Sequence, residues 1–227
     1  MKKILALLLA ALMASATLAS CGNAGNGSSG SSSSVSSEAD TNKESTATAE
    51  EVFDAINKAF ADKYGAIDPG ITGAINNMPA AVDDQLLEEQ LGISPDLYES
   101  YKGEIAGMMT NCDMLIVVKA KEGKVEDVKA ALEAAKKAQA AQFENYPVMA
   151  NDVRIEDSKV VENGRYVALL MVGVLTDDNE SDPDFTEDVQ MAEDAFNTAI
   201  EAGNDREQRC EIVDGVDVVL LHNVSNH

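Results

Sequence analysis

Cys21 has the surroundings that point most plainly to chemistry. It ends the run Leu18-Ala19-Ser20-Cys21, preceded by Lys2, Lys3 and an apolar stretch from Ile4 to Met13. A positive start, an h-region of about ten residues and small residues before a cut are the parts of a secretory signal. The apolar stretch is about half the length of a membrane span. Cysteine at this point makes the run similar to a lipobox. That likeness implies a diacylglyceryl thioether on the Cys21 sulfur and signal-peptidase cleavage between Ser20 and Cys21. The chemistry demands cysteine because a thiolate is a strong nucleophile. Two acyl chains hold a protein stably where one does not, at about 0.8 kcal/mol per buried methylene. Residues 1–20 are expected to be removed, and the mature chain to sit lipid-anchored on the extracytoplasmic face of the cell membrane.

The other reactive side chains form weaker patterns. Asp177, Asp178, Asn179, Glu180, Ser181, Asp182 and Asp184 crowd one segment. Their hard oxygens suit Ca²⁺, with Asp177, Asn179, Asp182 and Asp184 as candidate ligands. The segment lacks the glycine of a calcium-binding helix–loop–helix at its sixth position, and its twelfth is Asp188 rather than glutamate. A solvated loop is the plainer reading. Asp83, Asp84, Glu88 and Glu89 could supply paired carboxylates for acid–base work, but nothing fixes their separation in space, so a solvated helix face is the default reading. Met108, Met109 and Met114 read as core filler rather than soft-metal ligands. His222 and His227 are the two histidines, and no metallohydrolase, serine-hydrolase, phosphate-loop or C-x-x-C pattern is present. The expectation is a non-enzymatic protein with no cofactor. Cys112 and Cys210 remain as a possible pair in an oxidising compartment.

The chain has 17 Lys+Arg against 40 Asp+Glu, a formal net charge of -23. Such a surface repels phosphate backbones, which argues against nucleic acid and favours cations or basic proteins. Residues 21–47 begin with the modifiable cysteine and continue as a Gly/Ser-rich tract that cannot bury enough apolar surface to order itself. As a coil of about 25 residues it spans roughly 25–30 Å. That exceeds the ~8 Å Debye length of physiological salt, so it can hold an acidic domain clear of an acidic membrane.

Residues 48–227 read as one α+β domain. Thr48 with Glu51 fits a capping box, and Val52, Phe53, Ile56, Phe60 and Tyr64 share one helical face. Residues 66–82 read as loop. Asp83 caps a short helix with Leu86, Leu87 and Leu91, closed by Gly92. Ser94-Pro95-Asp96 predicts another helix to about Tyr101. A strand follows in the run to Ala120, then a helix from about Val125 to Asn145. Strands over Val153–Glu162 and Arg165–Leu175 flank Asn163-Gly164, a hairpin signal. A helix carrying Phe185, Val189, Ala192, Phe196 and Ile200 ends at Gly203. A last strand is expected at Val216–Leu221, with Glu211–Val213 pairing back on it.

From residue 113 this order is β-α-β-β-α-β, a ferredoxin-like split βαβ antiparallel sheet with two helices on one face and additional N-terminal helices. The strands over 114–118 and 166–174 are apolar on both sides, so the second face must also be covered, by the helices of 49–101 or by another protein. In this layout Cys112 and Cys210 precede neighbouring antiparallel strands and start at opposite ends. A disulfide, which needs Cα atoms within about 7 Å, is therefore unlikely to join them.

Two runs suggest a family: Leu91-Gly92-Ile93-Ser94-Pro95-Asp96-Leu97-Tyr98-Glu99, and Leu115 to Val128 with its Lys121-Glu122-Gly123-Lys124 turn. Tyr146-Pro147 and Gly164-Arg165-Tyr166 fall in step with them. The chain resembles the Domain of Unknown Function 4358 family, described as lipoproteins of Gram-positive bacteria, over about residues 51–200, most securely 51–175. The resemblance brings no activity with it and implies a Gram-positive host. The leading expectation is a membrane-anchored module for protein or envelope interaction. The alternative is a binding protein for a small cationic ligand or divalent metal, through the acidic segment.

Overall fold

Thr48 starts the first helix. Its hydroxyl accepts from the Glu51 N–H at 3.1 Å, and the Glu51 carboxylate accepts from the Thr48 N–H at 2.8 Å, the reciprocal capping box expected. In the computed structural model, which describes residues 45–214 apart from 77 and 147, and residues 206–214 by backbone alone, this helix is α1, Ala49–Tyr64. Next come β1 (Pro79–Ala81), α2 (Asp84–Glu89), β2 (Tyr98–Ala106), β3 (Met114–Ala120) and α3 (Val125–Phe143). A 3-10 turn (Val148–Ala150) leads to α4 (Asn151–Asp157), β4 (Lys159–Asn163), β5 (Tyr166–Met171) and α5 (Thr186–Asp214). Among the described residues no helix is long and apolar enough to cross a membrane.

The five strands form one antiparallel sheet in the order β1-β2-β3-β5-β4. Side chains alternate across it. Leu115, Val117, Tyr166, Ala168 and Leu170 meet α1 and α5 on one face. Ile116, Val118, Val167, Leu169 and Met171 meet α2, α3 and α4 on the other. Fully burying a large apolar side chain contributes roughly 1.5–3 kcal/mol, and Phe53, Phe60 and Phe196 lie in the first of these layers and Phe143 in the second.

The α+β class and the antiparallel sheet match the expectation, as do α1, α2 and α3. Helices cover both faces, however. α5 crosses to the face opposite α3, because α1 already lies there and offers it an apolar stripe. The second face is thus covered from within. β3, β5 and β4 keep the order of a split βαβ unit, but the place beside β3 is filled by β2. That strand occupies residues expected to be helical. Ser94-Pro95-Asp96 makes a single turn, with the Leu97 N–H on the Ser94 carbonyl, and Tyr98 onward pairs with β3 in register.

Two further differences shape the site. Val153–Asp157 is helix rather than strand, since Asn151, Arg154 and Ile155 share one buried helical face. α5 runs through Gly203 and through Glu211–Val213, which are not a strand. Gly203 serves instead for close approach: a Cβ there would lie 2.3 Å from the Ser45 Oγ. Ser45 and Ala47, expected to belong to the linker, are buried. The strand expected at Val216–Leu221 lies outside the described residues.

Candidate functional site

The sheet has two ends, and the polar groups at each differ. At one, β3 finishes and β5 begins, and the strap Ser45–Ala47 is fastened there. The Tyr166 hydroxyl donates to the Ala47 carbonyl and, at 3.1 Å, to that of Ser45. Lys119 Nζ donates to the Ser45 carbonyl at 3.1 Å. Ser45 Oγ and Thr46 Oγ1 donate to the Ile200 and Gly203 carbonyls of α5.

At the other end, β2 turns into β3, β5 leaves the sheet and α4 begins. There Arg154 is almost wholly buried, with Nε 2.8 Å from Asp113 Oδ1. Neither of those two atoms is in a linear hydrogen bond, so their attraction is Coulombic. The guanidinium also donates to the Met149 carbonyl at 3.0 Å and the Gly173 carbonyl at 3.2 Å. Its Cζ lies 4.4 Å from the centre of the Phe185 ring, a cation–π contact. Gly173 has to be glycine here, since a Cβ would fall 2.3 Å from Phe185 Cδ1.

Asparagines frame this ion pair. Asn111 Oδ1 accepts from the Asp113 N–H, and Asn151 Oδ1 from the Cys112 N–H. Asn151 Nδ2 donates to the Thr110 carbonyl. Cys112 is a buried free thiol, and burial followed by the nearby Asp113 carboxylate pushes its pKa up to about 12. Cys210 lies within α5, and its side chain is outside the described residues.

A second buried carboxylate holds the adjoining strap. Asp188 accepts from Tyr64 Oη at 2.6 Å, Lys63 Nζ at 2.7 Å and the Val174 N–H at 2.9 Å. Burial and the Asp188 bond push the Tyr64 pKa up to about 12. Burial pulls Lys63 down, but its bonds to Asp188 and Tyr64 outweigh that and leave it raised.

Between these groups lies a cavity of about 440 Å³. Ile71, Met149, Val174 and Leu175 give it apolar wall, Arg154 and Asn76 its polar wall, and Asp68 and Gly70 its exposed rim. Asn76 Oδ1 is buried and has no hydrogen-bond partner among the described residues. Three non-glycine residues nearby hold positive φ: Met78 (52°), Met149 (56°) and Ala150 (54°). Such strain gathers where the surroundings over-determine the backbone, often at functional sites. Among the described residues, the large apolar side chains left exposed (Ile67, Met78, Met108, Met109, Tyr146 and Val148) sit on the connections at this end. Met108 and Met109 are therefore surface residues, and of the three methionines only Met114 is core.

The sequence-predicted candidates lie elsewhere or work locally. Asn179 accepts from the Thr176 N–H and donates to the Val174 carbonyl. Asp184 accepts from the Thr186 hydroxyl and N–H, and those bonds lower its pKa. Asp177 and Asp182 are exposed. Among the described residues no three His, Cys, Asp or Glu side chains form a group that could hold a metal. Asp83 caps α2, and Asp84 accepts from Tyr101 Oη at 2.7 Å. Cys21, Ser20, His222 and His227 lie outside the described residues. Sequence reasoning missed Arg154, Asp113 and Asn76. A basic residue in the otherwise apolar and acidic run Val153-Arg154-Ile155-Glu156 was the available signal.

The fold and its buried polar end define an α+β domain around an antiparallel sheet covered on both sides. Residues 73–172 match a domain of unknown function (DUF4358), a stretch that runs from just before β1 to just after β5. α1 and α5 lie beyond the match. No curated protein and no solved structure matches the chain.

Proposed function

We propose that this protein is a lipid-anchored extracytoplasmic lipoprotein whose domain is a non-enzymatic binding module, held at one end and presenting the other. The observation carrying this reading is the polarity of the domain. The strap leading from the Gly/Ser tract is fastened beside Lys119 and Tyr166. The cavity and the exposed apolar loops lie at the opposite end of a sheet whose seven-residue strand β3 is about 20 Å long. A leash on one end leaves the other free to meet a partner away from the bilayer. The titratable groups described at the site are engaged in structural pairs, which suits recognition better than proton transfer.

Two measurements test it. Wild-type chain in a Gram-positive host should take up radiolabelled palmitate and sediment with membranes, and Cys21→Ala should lose both. A photo-crosslinker at Met109 should capture a partner that the same group at Glu122, on the tethered end, does not. Membrane fractionation unaffected by Cys21→Ala would overturn the anchor, and equal capture from both positions would overturn the polarity. The acidic segment as a divalent-metal site is not favoured, because Asn179 and Asp184 are occupied with their own backbone.

A further inference from the structure

We infer that the exposed apolar connections at the cavity end form a docking surface for a basic, amphipathic segment of another protein. The inference rests on the reading of this end as the presenting one and adds the chemistry of the partner. Single exposed apolar side chains are ordinary on a protein surface, whereas several gathered in one place mark an interaction site. Met109, Ile67 and Met78 are 92%, 73% and 71% exposed, and the connections that carry them touch. The Gly107 N–H donates to the Met78 carbonyl at 2.9 Å, and Thr110 Oγ1 lies 3.9 Å from Met149 Sδ. Met149 in turn lines one cavity with Asp68 and Ile71, from the loop that carries Ile67. Methionine is flexible and polarisable, and surfaces rich in it mould themselves to a partner's apolar face. An amphipathic helix supplies such a face.

Local charge decides the occupant. The connections at this end, residues 65–78, 107–113, 144–152 and 172–185, contain no lysine or arginine. Exposed carboxylates stand beside the apolar side chains instead: Asp68 next to Ile67, Glu144 close to Tyr146, Asp152 after Met149, and Asp177 and Asp182 beyond β5. The cations that neighbouring helices bring here are engaged, Arg154 buried on Asp113 and Lys63 bound to Asp188. At the opposite end the turns carry Lys121, Lys124 and Arg165, so the one-sided charge belongs to this surface. An acidic rim opposes an anionic bilayer. It also opposes a second copy of the same surface, which would bring like charges together. It matches a partner that is basic around an apolar strip.

The test uses the full-length chain in uncharged detergent micelles, with carbon-13 in its methionine methyl groups. The probe is a leucine–lysine peptide of about 14 residues, spaced to give a helix one apolar and one basic face. The methyl signals of Met78, Met108 and Met109 should shift saturably while that of the buried Met114 stays in place. Met109→Ser, a change at an exposed position, should weaken binding about tenfold, as loss of one apolar anchor does. Asp68→Asn with Asp152→Asn should weaken it about fivefold, as loss of two exposed charge partners does. Glu122→Gln, at the opposite end, should leave it unchanged. Equal binding of a peptide with glutamate for lysine, or of the same residues in scrambled order, would each overturn the assignment. So would an unchanged affinity in Met109→Ser, or methyl shifts on raising the protein concentration alone, which would make a second copy the occupant. A peptide that fails to bind while a crosslinker at Met109 still captures a partner removes this inference and leaves the presenting end standing. Equal capture from Glu122 removes both.

Discussion

The two ends of the sheet solve the same problem, closing an open edge of the fold, by different means. At the strap end, side chains of Tyr166, Lys119, Ser45 and Thr46 donate to backbone carbonyls. Each such bond contributes about 0.5–1.5 kcal/mol, and any one can be lost without leaving a buried charge. At the cavity end, the fold buries a guanidinium on a carboxylate, sets Asp188 under the strap, and tolerates three non-glycine residues at positive φ. Removing both members of a buried ion pair is often harmless, whereas removing one is severely destabilising. One end is therefore a tolerant seam and the other a rigid, interdependent frame around a cavity. Rigidity of this kind is what a binding site needs and what a mere closure does not.

The contrast breaks most directly at Arg154. Arg154→Leu leaves Asp113 buried without its counter-charge and should cost about 3–5 kcal/mol in urea unfolding. The double variant Arg154→Leu, Asp113→Leu should recover part of that. A loss below about 1 kcal/mol would place this pair with the tolerant bonds of the other end.

Alkaline pH probes the same frame through two groups whose protonated forms the fold favours. Burial raises Cys112 from 9.0 to about 12 and Tyr64 from 10.0 to about 12. The unfolded chain therefore releases these protons at lower pH than the folded one does. Their contribution is complete below about pH 9 and falls as pH rises towards 12. Stability measured across that window should decline more steeply for wild type than for a chain carrying Cys112→Ala and Tyr64→Phe. Parallel curves would show that neither group is held as the geometry implies.

The cap and face of α1 and the turn between β4 and β5 were legible in the sequence because their signals are local. Thr48 and Glu51 lie three residues apart, the face of α1 repeats every three or four, and Asn163-Gly164 sets its own turn, with Gly164 at φ 59°. The cavity end was not legible, since its partners are far apart in the chain: Asp113 with Arg154, Tyr64 with Asp188, Met149 with Gly173. The strand at Tyr98 was hidden for a related reason. Ser-Pro-Asp is a valid helix opening, and only the need of β3 for a neighbour overrides it. The Asn163-Gly164 hairpin signal suggested a strand reaching back to Val153, but the buried Arg154 meets Asp113 from a helix. α5 passed its glycine because the strap, too distant in sequence to foresee, needed the space beside it.

Gly173→Ala should cost about 1–3 kcal/mol, the usual range for overpacking, since the added methyl would meet the Phe185 ring at 2.3 Å. Its effect should extend beyond stability. Phe185 stacks on Arg154, so the amide resonances of Met149 and Val174 should shift as well. A stability change confined to Gly173 and its immediate neighbours would mean that the frame is less interdependent than its bonding suggests.

The smallest change belongs to the strap end. Tyr166→Phe removes a hydroxyl that donates to the Ser45 and Ala47 carbonyls and leaves the ring buried in place. The expected cost is about 0.5–1.5 kcal/mol, because Lys119 Nζ still reaches both carbonyls, at 3.1 and 3.4 Å. Loss should be local: amides of Ser45 to Thr48 should exchange faster with deuterium while those of β3 and β5 keep their protection. If exchange instead accelerates at Cys112 and Val174, across the sheet, the two ends are coupled. The seam would then share the interdependence that distinguishes the cavity.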